Sequence, residues 1–236
     1  MEALRIMPAP LILANIELEL GFEKSFEQYI LGQIVGKLRR KSKVISQSIL
    51  EKLKDVVRDR LFSSDAYRSL LGGSLQGHLG IPDPSSRASA IIEAWVEGIS
   101  VVAQIGSARG GSSKGLFSLE IGVIQADYAD VLSMTESEYD YYSDRFEQLM
   151  TIPWLQWLLL EGDRKIIKEF GFMRPGGINV GRSRTGLGLM REGKGLAWQV
   201  PAEFSGTAER NFATEALASL DEDIGAIVSE TLERNL

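Results

Sequence analysis

The sequence predicts an α+β fold: a mostly antiparallel sheet of about four to six strands packed with helices, flanked by a long N-terminal helix and an amphipathic C-terminal helix. Three observations lead there. Apolar residues recur at helical spacing over residues 26–61 and again over 213–232. Runs of β-branched residues bounded by glycine and serine fill much of the region between Ile99 and Val200. Consecutive runs are joined by short polar connections, which suits antiparallel neighbours.

The first element is the long helix. Phe26, Ile30, Ile34, Leu38, Ile45, Ile49, Leu53, Val56 and Val57 are spaced mostly by three, four or seven residues and form one apolar stripe. Such a helix is about 50 Å long at 1.5 Å per residue, with Gly32 and Gly36 as candidate breaks. Residues 1–65 are therefore expected to form an N-terminal arm and helix, and 66–236 an α+β domain with one continuous core. The segment DAYRSLLGGSLQGHLGIPDPSSR holds four glycines and two prolines and reads as a structured connection with room for a short helix. Ser85 or Ser86 is a candidate cap for a helix burying Ile91, Ile92, Trp95, Val96 and Ile99.

Strands are expected at 99–105 and 116–125, with GSARGGSSKG (106–115) as the hairpin tip. Thr135 and Glu138 have capping-box spacing, predicting an acidic helix to about Met150. Pro153 suits the first turn of a short helix that carries Trp154 and Trp157. Residues 165–173 read as a strand. Residues 185–190 and 196–200 read as a hairpin closed by REGKG, and Thr207 as the cap of a final helix reaching nearly to the C-terminus.

Composition narrows the chemistry. Apolar residues make up 44% and charged residues 25%, as in ordinary folded domains. The chain has no cysteine and one histidine, His78, so thiolate ligands, a cysteine nucleophile and sites with several imidazoles from one subunit are out of reach. The N-terminal apolar patch is interrupted by Pro8 and Pro10 and lacks the order of a signal peptide, and no apolar run approaches the length of a membrane span. A cytoplasmic or particle-bound protein without membrane contact is the expectation.

Net charge is −6, but Lys37, Arg39, Arg40, Lys41 and Lys43 cluster, whereas the segment after Pro201 has eight acids against two arginines. Opposite signs at the two ends favour packing of one copy's basic face on another's acidic face, or contact of the basic band with DNA; a solvated helix face is the plainer alternative.

Motifs for catalysis are weak. Gly106 to Gly111 and Gly181 to Gly186 have phosphate-loop spacing but are followed by Ser112–Ser113 and Leu187–Gly188, so both lack the lysine that contacts phosphate. Glu161 and Asp163 are the best-placed carboxylate pair for magnesium or acid–base work, although EGD between a helix and a strand also makes an ordinary polar turn. Arg182 and Arg184 suit bidentate pairing with carboxylates or phosphates. Arg109 and Lys114, in the glycine-serine loop, and Trp154 and Trp157 are candidate contact residues. No cofactor is called for.

The order of several segments is familiar. SLLGGSLQGHLGIPD, IIEAWVEGISV, PWLQWLLLEGD, RSRTGLGLM, WQVPAEFSGT and NFATEAL together resemble the neck and tail-completion proteins of tailed bacteriophages, with Arg184, Thr185 and Gly186 similar to their loop-to-strand signature. The resemblance covers roughly residues 66–236. It implies a noncatalytic α+β subunit of a homo-oligomeric ring at the head–tail junction of the virion, assembled in the host cytoplasm. Its partners would be copies of itself, portal, adaptor or other neck proteins, tail proteins and, nonspecifically, packaged DNA. Adaptor, stopper, terminator and completion stations remain open. The competing expectations are a tail-tube or baseplate component and a magnesium-dependent phosphate-processing enzyme using Glu161, Asp163 and the arginine loop.

Overall fold

The computed structural model describes residues 10–20, 25–107, 115–125, 128–143, 147–162, 164–173, 189–218 and 220–235. Strand β1 (Pro10–Leu20) precedes helix α1 (Ser25–Phe62), and α2 (Asp65–Gly72), α3 (Ser74–Leu79) and α4 (Pro84–Glu97) follow. Next come β2 (Ser100–Ser107), β3 (Gly115–Gln125), the one-turn helix α5 (Ala129–Leu132) and a 3-10 turn at Thr135–Ser137. The rest of the chain supplies β4 (Tyr139–Ser143), β5 (Gln148–Ile152), α6 (Trp154–Leu159), β6 (Ile167–Met173), β7 (Leu189–Trp198), α7 (Phe212–Leu217) and α8 (Asp221–Asn235). The α+β class holds, and every strand pairing is antiparallel.

A single sheet of four to six strands does not form. The seven described strands divide into a three-stranded sheet of order β1-β3-β2 and two hairpin-like pairs, β4-β5 and β6-β7. By its contacts the chain divides into two units, one of residues 1–57, 95–126 and 219–236 and one of 58–94 and 127–218.

In the first unit, β3 is the central strand: Ile121 pairs with Val101 on one side and Ala14 on the other, and its side chain is fully buried. The expected strands and their hairpin register, ending at Ser107 opposite Gly115, are present. Strand β1 had no counterpart among the expected strands. Its signal is the alternation of Ile16, Leu18 and Leu20 with Asn15, Glu17 and Glu19, a period of two inside a patch that also reads as merely apolar.

Helix α1 is continuous through Gly32 and Gly36. No proline lies within it, and a glycine costs only about 1 kcal/mol in a helix interior, which the buried line Leu38, Ile45, Ile49, Leu53, Val57 and Leu61 outweighs. Ser64 ends the run: its hydroxyl donates to Leu61 O at 2.7 Å and accepts from Tyr67 N at 3.3 Å, closing one helix and capping the next. Helix α8 returns antiparallel to α1, with Lys41 Nζ on Asn235 O at 2.8 Å and Lys52 Nζ on Glu230 Oε2 at 2.5 Å. Ile224, Ile227, Val228 and Thr231 form its buried side.

The second unit holds the departures from expectation. Helix α4 starts at Pro84, so Ser85 and Ser86 lie inside its first turn. The acidic helix over 135–150 is replaced by a 3-10 turn and the β4-β5 hairpin. Thr135 Oγ1 donates to the neighbouring Glu136 carboxylate instead of closing a capping box, and Tyr139, Tyr141 and Tyr142 favour strand over helix. REGKG is no turn either. Strand β7 runs through it, because β6 offers a partner on both sides of a bulge in which Gly193, Lys194, Gly195 and Leu196 lie opposite Glu169 alone. Gly195 takes φ +82° there, a conformation that favours glycine. Finally, the helix expected from Thr207 onward is two helices, α7 in the second unit and α8 in the first, and the cap is Asn211.

Candidate functional site

The short helix α6 shows what its tryptophans do. Trp154, Leu155, Leu158 and Leu159 are buried, and Trp154 Nε1 donates to Glu136 O at 2.8 Å. Trp154 is thus a core residue that ties α6 to the 3-10 turn. Trp157 is half-buried, its ring 5.5 Å from that of Trp198. Trp198 in turn donates from Nε1 to His78 Nδ1 at 2.9 Å, and the His78 ring stacks on Phe172 at 3.7 Å. The lone histidine sits on α3, a short helix within the glycine-rich connection, and joins it to β6 and β7 through an aromatic cluster.

Beside α6 lies a buried polar hub that the sequence reading did not single out. Asn211, 2% exposed, accepts from Ala213 N and Thr214 N, both at 3.1 Å, through its side-chain oxygen. Its amide nitrogen donates to the Tyr128 hydroxyl at 2.7 Å and to Thr207 O at 2.9 Å, while Thr214 Oγ1 completes the capping box by accepting from Asn211 N. Burial raises the Tyr128 phenol above its ordinary pKa, and the Asn211 bond pulls the other way. The readable signal was Asn-x-x-Thr in NFATEAL, the same reciprocal pattern as Ser-x-x-Glu with other residues.

The carboxylate pair at the EGD turn is only half described. Glu161 Oε1 accepts from Gln156 Nε2 at 2.7 Å, and Asp163 lies outside the described residues. Gly162 has a tight structural task. Its N–H donates to Gly206 O at 3.0 Å, and a Cβ on it would stand 2.3 Å from Gly206 N. Among the described residues no group of three or more His, Asp or Glu is placed to hold a metal ion. Arg109, Lys114, Arg182 and Arg184, with both glycine-rich spacings that resemble a phosphate loop, also lie outside the described residues in whole or in part.

Two outward-facing surfaces among the described residues bear on contacts with other molecules. On α1, Lys37, Arg39, Arg40, Lys41 and Lys43 are all exposed while Leu38 between them is buried. At about 100° per residue these five cations spread around the whole face opposite Leu38 and form a collar, not a single stripe. Lys41 is held by Asn235 O, but Arg39, Arg40 and Lys43 make no ion pair among the described residues. The acids of α8 are not simply its complement: Glu230 already pairs with Lys52 and with Arg234 at 2.6 Å. The Lys52 hydrogen bond, then the charges of Arg234 and Lys52, hold Glu230 below the usual glutamate pKa.

The other surface is the β4-β5 hairpin. Tyr139 anchors it inward, donating from its hydroxyl to Leu79 O at 2.5 Å. Strand alternation then sends Asp140 and Tyr142 outward, opposite Thr151 and Leu149. Thr151 Oγ1 donates to Asp140 Oδ1 at 2.6 Å, and the cross-strand pair Tyr142 and Leu149 is 60% and 65% exposed. No helix among the described residues is long and apolar enough to cross a membrane. The chain matches no protein-family model, no curated protein and no solved structure.

Proposed function

We propose that this chain is a noncatalytic structural subunit of the tailed-bacteriophage neck kind, forming a homo-oligomeric ring that joins portal or head to tail. On this reading it resides at the head–tail junction of the virion after assembly in the host cytoplasm, in contact with portal, adaptor or tail proteins. The motif order over residues 66–236 supports the family part of the reading. The observation that carries the assembly part is the cation collar on α1: Arg39, Arg40 and Lys43 are exposed, close together and without an ion pair among the described residues, in a chain of net charge −6. Cations concentrated on one helix of an acidic protein create a local field of opposite sign to the whole, which orients copies as they meet and speeds productive encounters. A ring multiplies that contact by its number of subunits and leaves no unpaired end.

The test is native mass spectrometry with sedimentation velocity over a range of protein and salt concentration. Discrete closed oligomers that loosen as salt rises support the proposal. A chain that stays monomeric at every concentration and turns over a phosphate ester with magnesium would replace it with the enzymatic reading.

A further inference from the structure

We infer that the collar of α1 docks on the outward face of the β4-β5 hairpin of a second copy, with Val44 of one chain seated against Tyr142 and Leu149 of the next. This rests on the self-assembly proposed above and names the two surfaces that meet. Val44 is 61% exposed and stands one helical turn after Arg40 and Lys41, so the collar has an exposed apolar residue at its C-terminal edge. The hairpin has the inverse arrangement. Tyr142 and Leu149 form an exposed apolar pair, Asp140 lies on the same face, and Glu138 and Glu147 are exposed beyond the strand ends. From Thr135 to Ile152 the sequence has five acids, Glu136, Glu138, Asp140, Asp144 and Glu147, against one cation, Arg145.

Exposed apolar side chains beside exposed charges suit an interface in which the apolar contact excludes water and the charges set register. Arg40 beside the Tyr142 ring would add a cation–π contact. The first turn of α8, with Asp221, Glu222 and Asp223, is acidic, but none of its own residues is an exposed large apolar side chain among those described. It therefore matches the cations of the collar but offers nothing to Val44. Because the two surfaces lie on different elements of one chain, the contact is heterologous, so repeated use builds a ring if the rotation closes and a filament if it does not.

The absence of native cysteine makes a direct test available. Val44→Cys and Leu149→Cys are prepared as separate full-length proteins, checked by circular dichroism, and treated with a short bismaleimide alone and as an equimolar mixture. Covalent dimer is expected from the mixture and not from either variant alone. A linked dimer from Val44→Cys alone would instead show a symmetric helix–helix contact and overturn the inference. A parallel arm measures association of Arg40→Glu, Asp140→Lys and their equimolar mixture. Each variant alone should associate about 10-fold more weakly than the unaltered protein, and the mixture should recover most of the loss, as expected for a local charge pair. If the unaltered protein forms oligomers but the mixtures neither crosslink nor recover, the docking is wrong and self-assembly stands. If the unaltered protein is monomeric throughout, both fall.

Discussion

Around Trp154 and along the collar of α1, polar and apolar groups are put to opposite uses. In the first region Trp154, Asn211 and Tyr128 are buried and hydrogen-bonded within the subunit. In the second, cations and Val44 face outward together. A large aromatic with its polar atom already satisfied inside the chain has little left to offer a neighbour. Arg39, Arg40 and Lys43, exposed near Val44 and without an ion pair among the described residues, keep most of their interaction capacity, whereas Lys41 is held by Asn235 O. The contrast separates side chains that hold the chain together from side chains that face outward, and it points the proposed self-association to the collar and the β4-β5 hairpin instead of the tryptophans.

The contrast breaks if the two regions respond alike to substitution. Trp154→Ala should have the largest effect, a loss of roughly 3–5 kcal/mol from deletion of a buried aromatic, measured by chemical denaturation. Asn211→Ala removes a helix cap and leaves the buried Tyr128 hydroxyl short of a donor, for an expected loss of about 2 kcal/mol. Reversing Arg39, Arg40 and Lys41 to glutamate removes one exposed intrachain bond, Lys41 Nζ to Asn235 O, and should lower the denaturation midpoint only slightly while weakening association by about 10-fold or more at low salt. Normal assembly of that variant would reduce the collar to a solvated helix face.

Two smaller effects sharpen the picture through pH. The raised phenol pKa of Tyr128 means that its contribution to stability is complete below the unfolded value of about 10 and is lost as pH rises through the folded value. Tyr128→Phe should therefore flatten the alkaline limb of the stability profile. Glu230 is lowered, so its contribution is present above the ordinary glutamate pKa and lost as pH falls through the folded value. This pair is exposed and screened, so Glu230→Gln should change the acid limb only slightly, and less in high salt.

Elements whose pattern is set by burial along one face could be read directly. The stripe from Leu38 to Leu61 gave α1, and the β-branched runs gave β2 and β3 with their hairpin. Elements set by a partner distant in sequence could not. Residues 191–195 look like a turn until β6 is there to pair with them, and residues 138–150 look helical until Tyr139 finds Leu79 O. The division of strands into three sheets is likewise a matter of which edges meet, to which hydrophobic period is blind. At the surface, the collar was readable from charge alone, because five cations in seven residues need no fold to be noticed. The Tyr142–Leu149 pair was not, because the two residues adjoin only across a hairpin.

The most direct measurement is sedimentation velocity of the unaltered protein and of the Arg39, Arg40 and Lys41 reversal, side by side at low and high salt. A defined oligomer is expected for the unaltered protein at low salt, with dissociation at high salt and a folded monomer for the reversal in both. Identical monomers throughout, or identical oligomers indifferent to salt and to the reversal, would contradict that expectation.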